Sequence, residues 1–313
     1  MKKLFATFLM MFVFFTFSVQ AQQVHIAGSD GDDAVFWLNG VRTVLPKADE
    51  AVAEANAIAV SGSDIYIAGR DGSDAVYWLN GVRIVLPKIG DYAYARAIAV
   101  SGSDIYIVGI DGDDAVFWLN GVRTVLPKAD EAVAEANAIA VSGADIYIVG
   151  IDGSDAVYWL NGVRTVLPKA DDWAWANAIA VSGSDIYIAG RDGFDAVYWL
   201  NGRRIALTEF GNDPREAVAN AIAVSGSNIY IAGSVGIIFG EWSGTAAFWL
   251  NGRQELLPDT NNYAFSYAIA VSGSDIYIAG MASFDAVYWL NGRRTVLPKA
   301  GDDASANAIV VVP

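Results

Sequence analysis

The sequence predicts an all-β fold: a seven-bladed β-propeller of four-stranded antiparallel blades, closed by a C-terminal strand that joins blade one. Three observations carry this. The pentad Phe/Tyr-Trp-Leu-Asn-Gly occurs seven times, with Trp at 37, 78, 118, 159, 199, 249 and 289. A second pentad, Ala-Ile-Ala-Val-Ser, starts at Ala57, Ala97, Ala138, Ala178, Ala221 and Ala268, and a degenerate seventh copy spans 308–312. The tryptophans lie 40 or 41 residues apart except for one interval of 50, and about 40–45 residues is the length of one four-stranded blade.

The chain opens with an address. Lys2 and Lys3 precede an apolar run from Leu4 to Val19, and Val19-Gln20-Ala21 offers the small residues that a signal peptidase accepts. Residues 1–21 are therefore expected to be a signal peptide and residues 22–313 a single propeller domain that is secreted or periplasmic, with no membrane attachment after cleavage. The run is too short, and lacks the flank, for a stop-transfer anchor.

Within the repeat, the second copy shows the parsing. Strand a covers 56–60, strand b 64–68, strand c 75–79 and strand d 82–86. Ser61-Gly62-Ser63 turns a into b, Asp71-Gly72 lies between b and c, and Asn80-Gly81 makes a two-residue hairpin from c to d. Pro87 then stops strand d. Both alternating sets of strand c are apolar, Val76 and Trp78 on one side and Tyr77 and Leu79 on the other, so each sheet should be covered on both faces. Strand a alternates Ala with Asn56, Ile58 and Val60, and small residues suit the crowded axis of a tapering array, which places a innermost and d outermost. The domain begins at a strand b, Val24 to Gly28, and ends at a strand a, Asn307 to Val311. Seven complete blades then require the last strand to dock on the first blade, which leaves no open end to the ring.

The strand-b run Ile-Tyr-Ile-Ala-Gly, followed by Asp-Gly and an aromatic strand, resembles kelch-type propellers, with that family's double glycine reduced to one. The Tyr-Trp-Leu-Asn-Gly repeat is similar to the Tyr-Trp-x-Asn-Gly repeats of exported bacterial proteins. The resemblance covers residues 22–313 and implies a fold, not an activity.

Composition narrows the function. There are 35 acidic against 20 basic residues, for a formal net charge of -15, so nucleic acid and anionic membrane surfaces are poor partners. No Cys is present, which removes thiolate nucleophiles and thiolate metal sites, and one His leaves little room for imidazole catalysis. His25 occupies a slot held elsewhere by Tyr. The seven strand-c tryptophans are expected to pack between blades. Arg42, Arg83, Arg123, Arg164, Arg204 and Arg294 lie across the hairpin from them, so cation–π stacking is expected, with Asp64 and its copies completing an Asp, Trp and Arg cluster. The Asp-rich turns at 30–33 and 111–114 read as hairpin chemistry rather than a calcium loop. No cofactor or metal is called for.

The repeats differ most in the d-to-a and b-to-c loops, which share one face. Ahead of each strand a runs X-Ala-X-Ala-Asn-Ala-Ile, and in three copies the X residues are aromatic: Tyr92 and Tyr94, Trp173 and Trp175, Tyr263 and Phe265. Arg96 and Tyr267 replace the Asn in two copies, and Trp242 stands in the long b-to-c insertion of blade six. These nine residues, expected at the mouth of the central channel, are the candidate ligand-binding set. Exposed aromatics beside amides and acids suit a glycan or protein ligand. The expected protein is a monomeric, non-catalytic binding module. The alternatives are a carbohydrate-active hydrolase using paired acids and a self-associating surface protein.

Overall fold

The computed structural model describes residues 22–48, 51–129, 132–209, 215–238, 243–258 and 263–312. The expected signal peptide and Trp242 lie outside the described residues. Seven four-stranded antiparallel sheets form the blades, and the strand Ala304–Val312 pairs with Gln23–Asp30 to complete blade one. Among the described residues no helix is long and apolar enough to cross a membrane.

Blade two shows the common plan, with strands Ala53–Ser61, Asp64–Asp71, Asp74–Leu79 and Val82–Val85 in positions a to d. Asn80 and Gly81 both have positive φ, 51° and 81°, the two left-handed residues that a type I′ hairpin requires. The Asn80 side chain also ties this end of the blade together. Its Oδ1 accepts from the Ile65 N–H, and its Nδ2 donates to Asp64 Oδ1.

Every strand-c tryptophan is fully buried and faces the preceding blade. Trp78, for example, packs with Val76, Ile67 and Ile58 against Ala27, Ala34 and Leu45 of blade one. Trp37 closes the ring in the same way, against Tyr277, Ala279 and Leu297 of blade seven. Each indole N–H finds a carbonyl across the interface: Trp78 donates to Pro46 at 2.7 Å, and Trp37 to Pro298 at 2.9 Å. The proline that stops strand d is thus also the acceptor for the next blade. Trp249 is the exception. Thr208 stands where the other blades carry that proline, and the Trp249 Nε1 has no partner among the described residues.

Cation–π stacking of the strand-d arginines on these tryptophans is not what the structure shows. Trp78 and Arg83 are cross-strand neighbours as expected, but the guanidinium turns to a buried carboxylate at the far end of strand b. The Nε atoms of Arg42, Arg83, Arg123 and Arg164 lie 2.5–2.6 Å from Asp30, Asp71, Asp111 and Asp152, and Arg204 pairs with Asp192 in blade five. The acid of the framework cluster is therefore the Asp71 class, whereas Asp64 and its copies serve the hairpin. Physics favours this choice. The Asp71-class side chains have no solvent exposure and need charge partners, while the ring of Trp78 is already covered by apolar groups.

These aspartates also reach across the interface. Asp30 accepts from the N–H groups of Ala300 and Gly301, and Asp111 from Ile89 and Gly90, so each holds the d-to-a loop of the blade before it. Burial alone would raise the Asp30 carboxyl, but the two N–H donors and Arg42 outweigh it and hold it below the usual aspartate range. Blades six and seven lack the device. Val235 and Ala282 occupy the aspartate's place.

Two outcomes test this framework. Deleting residues 306–313 removes strand a of blade one and exposes an edge, so thermal unfolding should lose cooperativity and fall in midpoint; an unchanged transition would show that closure does not matter. Arg42→Ala should cost on the order of 2 kcal/mol at pH 7, because it strips a buried carboxylate of its cation. Since Asp30 is held below its unfolded value of about 3.9, its contribution is complete above that pH and disappears as pH falls through the folded value. Denaturant melts of Asp30→Asn and the parent protein should accordingly converge in strong acid.

Candidate functional site

The site begins with an irregularity in strand a. In all seven blades the pairing of strand a with strand b slips by one residue, at Asn56, Arg96, Asn137, Asn177, Asn220, Tyr267 and Asn307. A β-bulge of this kind leaves one residue unpaired and re-aims the chain. It also reverses the alternation expected for strand a: Ala53 and Ala55 are buried before the bulge, and Ile58 takes over after it. The strand-b glycine is what permits the close approach. A Cβ on Gly69 would sit 1.9 Å from the Glu54 carbonyl oxygen, and one on Gly190 equally close to that of Trp175.

The bulged asparagines make a belt around the channel. Asn56 Nδ2 donates to the Ala95 carbonyl of the next blade, Asn137 to Ala176, Asn177 to Ala219, Asn220 to Ser266 and Asn307 to Ala55. The belt breaks where Arg96 and Tyr267 stand. Arg96 instead pairs through Nη2 with Glu135 of blade four at 2.7 Å. Tyr267 stacks on Phe265, with ring centroids 6.5 Å apart and planes 3° from parallel, and burial pushes its hydroxyl far above the usual phenol range.

A cavity of about 810 Å³ opens above this belt over blades two to six. Three of the nine sequence-predicted residues line it: Tyr94, Arg96 and Trp175. Trp175 is 40% exposed, the most accessible of the predicted aromatics among the described residues. The Tyr92 ring lies 5.4 Å from that of Tyr94 and the Trp173 ring 5.3 Å from that of Trp175, both pairs tilted, so Tyr92 and Trp173 are half-buried supports behind the wall. Phe265 and Tyr267 belong to blade seven, outside the lining, and Tyr263 is buried at 7% exposure rather than presented to solvent. Its ring lies 4.7 Å from Phe284, which is itself exposed on a turn where Ser283 and Phe284 both have positive φ. Trp242 lies outside the described residues.

Two arginines that sequence reasoning missed complete the wall. Arg70 pairs with Glu54 at 2.5 Å and lies 5.2 Å from the ring centre of Tyr94 in the next blade. Arg191 lies over both Trp173 and Trp175, at 4.0 and 4.8 Å, and its Nη2 is 3.3 Å from Glu216 of blade six. Burial lowers the Arg191 guanidinium from its ordinary value, with Glu216 opposing. The signal was present: the residue before the strand-b Asp runs Ser29, Arg70, Ile110, Ile151 and Arg191, so it varies as freely as the X residues it pairs with. His25 is elsewhere, buried at the Tyr slot of strand b, and burial lowers its imidazole from the ordinary value.

Among solved structures, the chain is similar to U3-55K (TM-score 0.54, 13% identity, covering 81% of this chain and 84% of that one). It is also similar to the computationally designed Ika8 protein (TM-score 0.51, 16% identity, 91% and 86%) and to a chain of a nidogen/laminin complex (TM-score 0.50, 11% identity, 94% and 99%). At such identities the likeness shows the fold alone. No protein-family model and no curated protein matches the chain.

Gly190→Ala tests how the wall is positioned. The added methyl would meet the Trp175 carbonyl oxygen, so the strand must shift. The variant should lose at least about 2 kcal/mol in chemical denaturation and show altered Trp fluorescence, and a fully stable variant with unchanged fluorescence would sink the close-approach account.

Proposed function

We propose that this chain is an exported, non-catalytic binding module whose recognition site is the cavity at the channel mouth, and that its ligand is a saccharide. The observation that carries this is a coincidence of variation and geometry. The positions at which the repeats diverge most, including Tyr94, Arg96, Trp175 and Arg191, converge on a single cavity, while the positions that build the blades hardly change. A scaffold that keeps its framework and varies only a concave face is organised for recognition.

Size and chemistry favour a saccharide over a protein surface. A concave space of about 810 Å³ falls in the range of small-ligand sites, whereas protein partners commonly dock on broader surfaces. The half-exposed Trp175 offers an apolar face for a sugar ring. The belt asparagines spend their N–H donors on backbone carbonyls, which leaves the side-chain oxygens of Asn56, Asn177 and Asn220 to accept from ligand hydroxyls. The hydrolase alternative finds less support, because the two acids lining the cavity, Glu54 and Glu135, are each committed to an arginine.

The test is a substitution that the scaffold already tolerates. Blade two carries Val52, Glu54 and Arg70 where blade five carries Trp173, Trp175 and Arg191. Replacing Trp173→Val with Trp175→Glu therefore installs the blade-two trio, and the double variant should fold with a melting temperature within a few degrees of the parent. On a glycan array its binding should fall at least about tenfold, as expected for removal of an aromatic anchor. Undiminished binding by the folded variant would remove the channel mouth as the recognition surface.

A further inference from the structure

We infer that the saccharide is an acidic one, carrying a carboxylate that the guanidinium groups of Arg96 and Arg191 receive at the channel mouth. This rests on the binding-module reading above and specifies the ligand class of the same site.

The protein is strongly acidic, yet its channel mouth collects arginine. Three line the cavity, Arg70, Arg96 and Arg191, and their Nη2 atoms contact Glu54, Glu135 and Glu216. A guanidinium has five N–H donors in a rigid fork, more than one carboxylate contact uses. The Nε atoms of Arg96 and Arg191 are buried, so a ligand meets these side chains at their terminal nitrogens. Two planar cationic forks beside an aromatic platform match a group that is planar, anionic and attached to a sugar ring.

The blade fold does not require arginine at these positions. In the homologous strand-b position, Ser29, Ile110, Ile151 and Met281 stand in blades that fold the same way, so an arginine there is not required. Five blades place an asparagine in the slot of Arg96, and those asparagines close the belt to the next blade. Arg96 forgoes that hydrogen bond. With 38% of its side chain exposed, it is the more accessible fork, and Arg191, at 15%, is held rigidly by its two tryptophans.

The experiment titrates the parent protein calorimetrically with oligomers of galacturonate, glucuronate and mannuronate, each beside its carboxyl-reduced neutral counterpart. At least one acid oligomer should bind about tenfold or more tightly than its reduced form, with affinity falling as salt is raised. Arg96→Asn, which installs the residue found in the other blades and so should keep the fold, should bring the acid and neutral forms within about threefold of each other. Two results overturn the inference: reduced oligomers binding as tightly as the acids, or no acid oligomer binding at all. The first leaves the saccharide module standing. The second, joined by silence across a neutral glycan array, overturns both.

Discussion

The ring depends on one contact repeated at its interfaces: a buried tryptophan whose indole N–H reaches the carbonyl of the proline ending the previous blade. A four-stranded sheet has two apolar faces and cannot bury either alone. The tryptophan supplies the largest apolar surface at each interface, and its polar edge fixes the register of one blade on the next. A second tie runs through the Asp71 class, which joins the strand-d arginine of its own blade to the d-to-a loop of its neighbour. Both ties fail together around blade six, where Thr208 replaces the proline and Val235 the aspartate. That is also the blade that carries the long insertion, so the interface lacking both ties belongs to the sector with the greatest sequence freedom.

Because these ties hold the blades at fixed spacing, the channel mouth can vary. The bulge and its facing glycine push one residue per blade toward the axis whatever that residue is. Five asparagines use the position to bind the next blade, and Arg96 and Tyr267 use it otherwise. The scaffold tolerates the exceptions since the tryptophan contacts lie farther out and do not pass through the belt. Side-chain variation at the mouth is therefore energetically separate from closure of the ring.

Most of the fold was legible in the sequence, for identifiable reasons. The Asn-Gly hairpins, the repeat length and the displaced first strand each have a local cause, and local causes survive folding. Two features were not read correctly because they depend on geometry across strands. The partner of Arg83 is seven residues away from the one expected, Asp71 rather than Asp64, since burial and not sequence proximity decides where a guanidinium turns. The bulge was visible only as a change of parity between Ala55 and Ile58 opposite a recurring glycine, a pattern that reads as plain alternation unless both strands are considered together. The aromatic pairs lie ring to ring, but which member faces the cavity depends on the neighbouring blade. Tyr263 is covered by its neighbours and Trp175 is not.

That dependence on neighbours has its clearest case in two identical stretches. Residues 30–62 and 111–143 have the same sequence, so Glu54 and Glu135 sit in the same local structure. Glu54 nevertheless pairs with Arg70 on its own strand b, whereas Glu135, facing Ile151 there, pairs with Arg96 of the preceding blade. Identical repeats thus carry different charge arrangements because the residues beside them differ. The electrostatic character of the mouth is a property of blade junctions rather than of blades. A chain built from nearly uniform units can then acquire one asymmetric site by changing a few residues at the seams, without altering the unit that makes the ring.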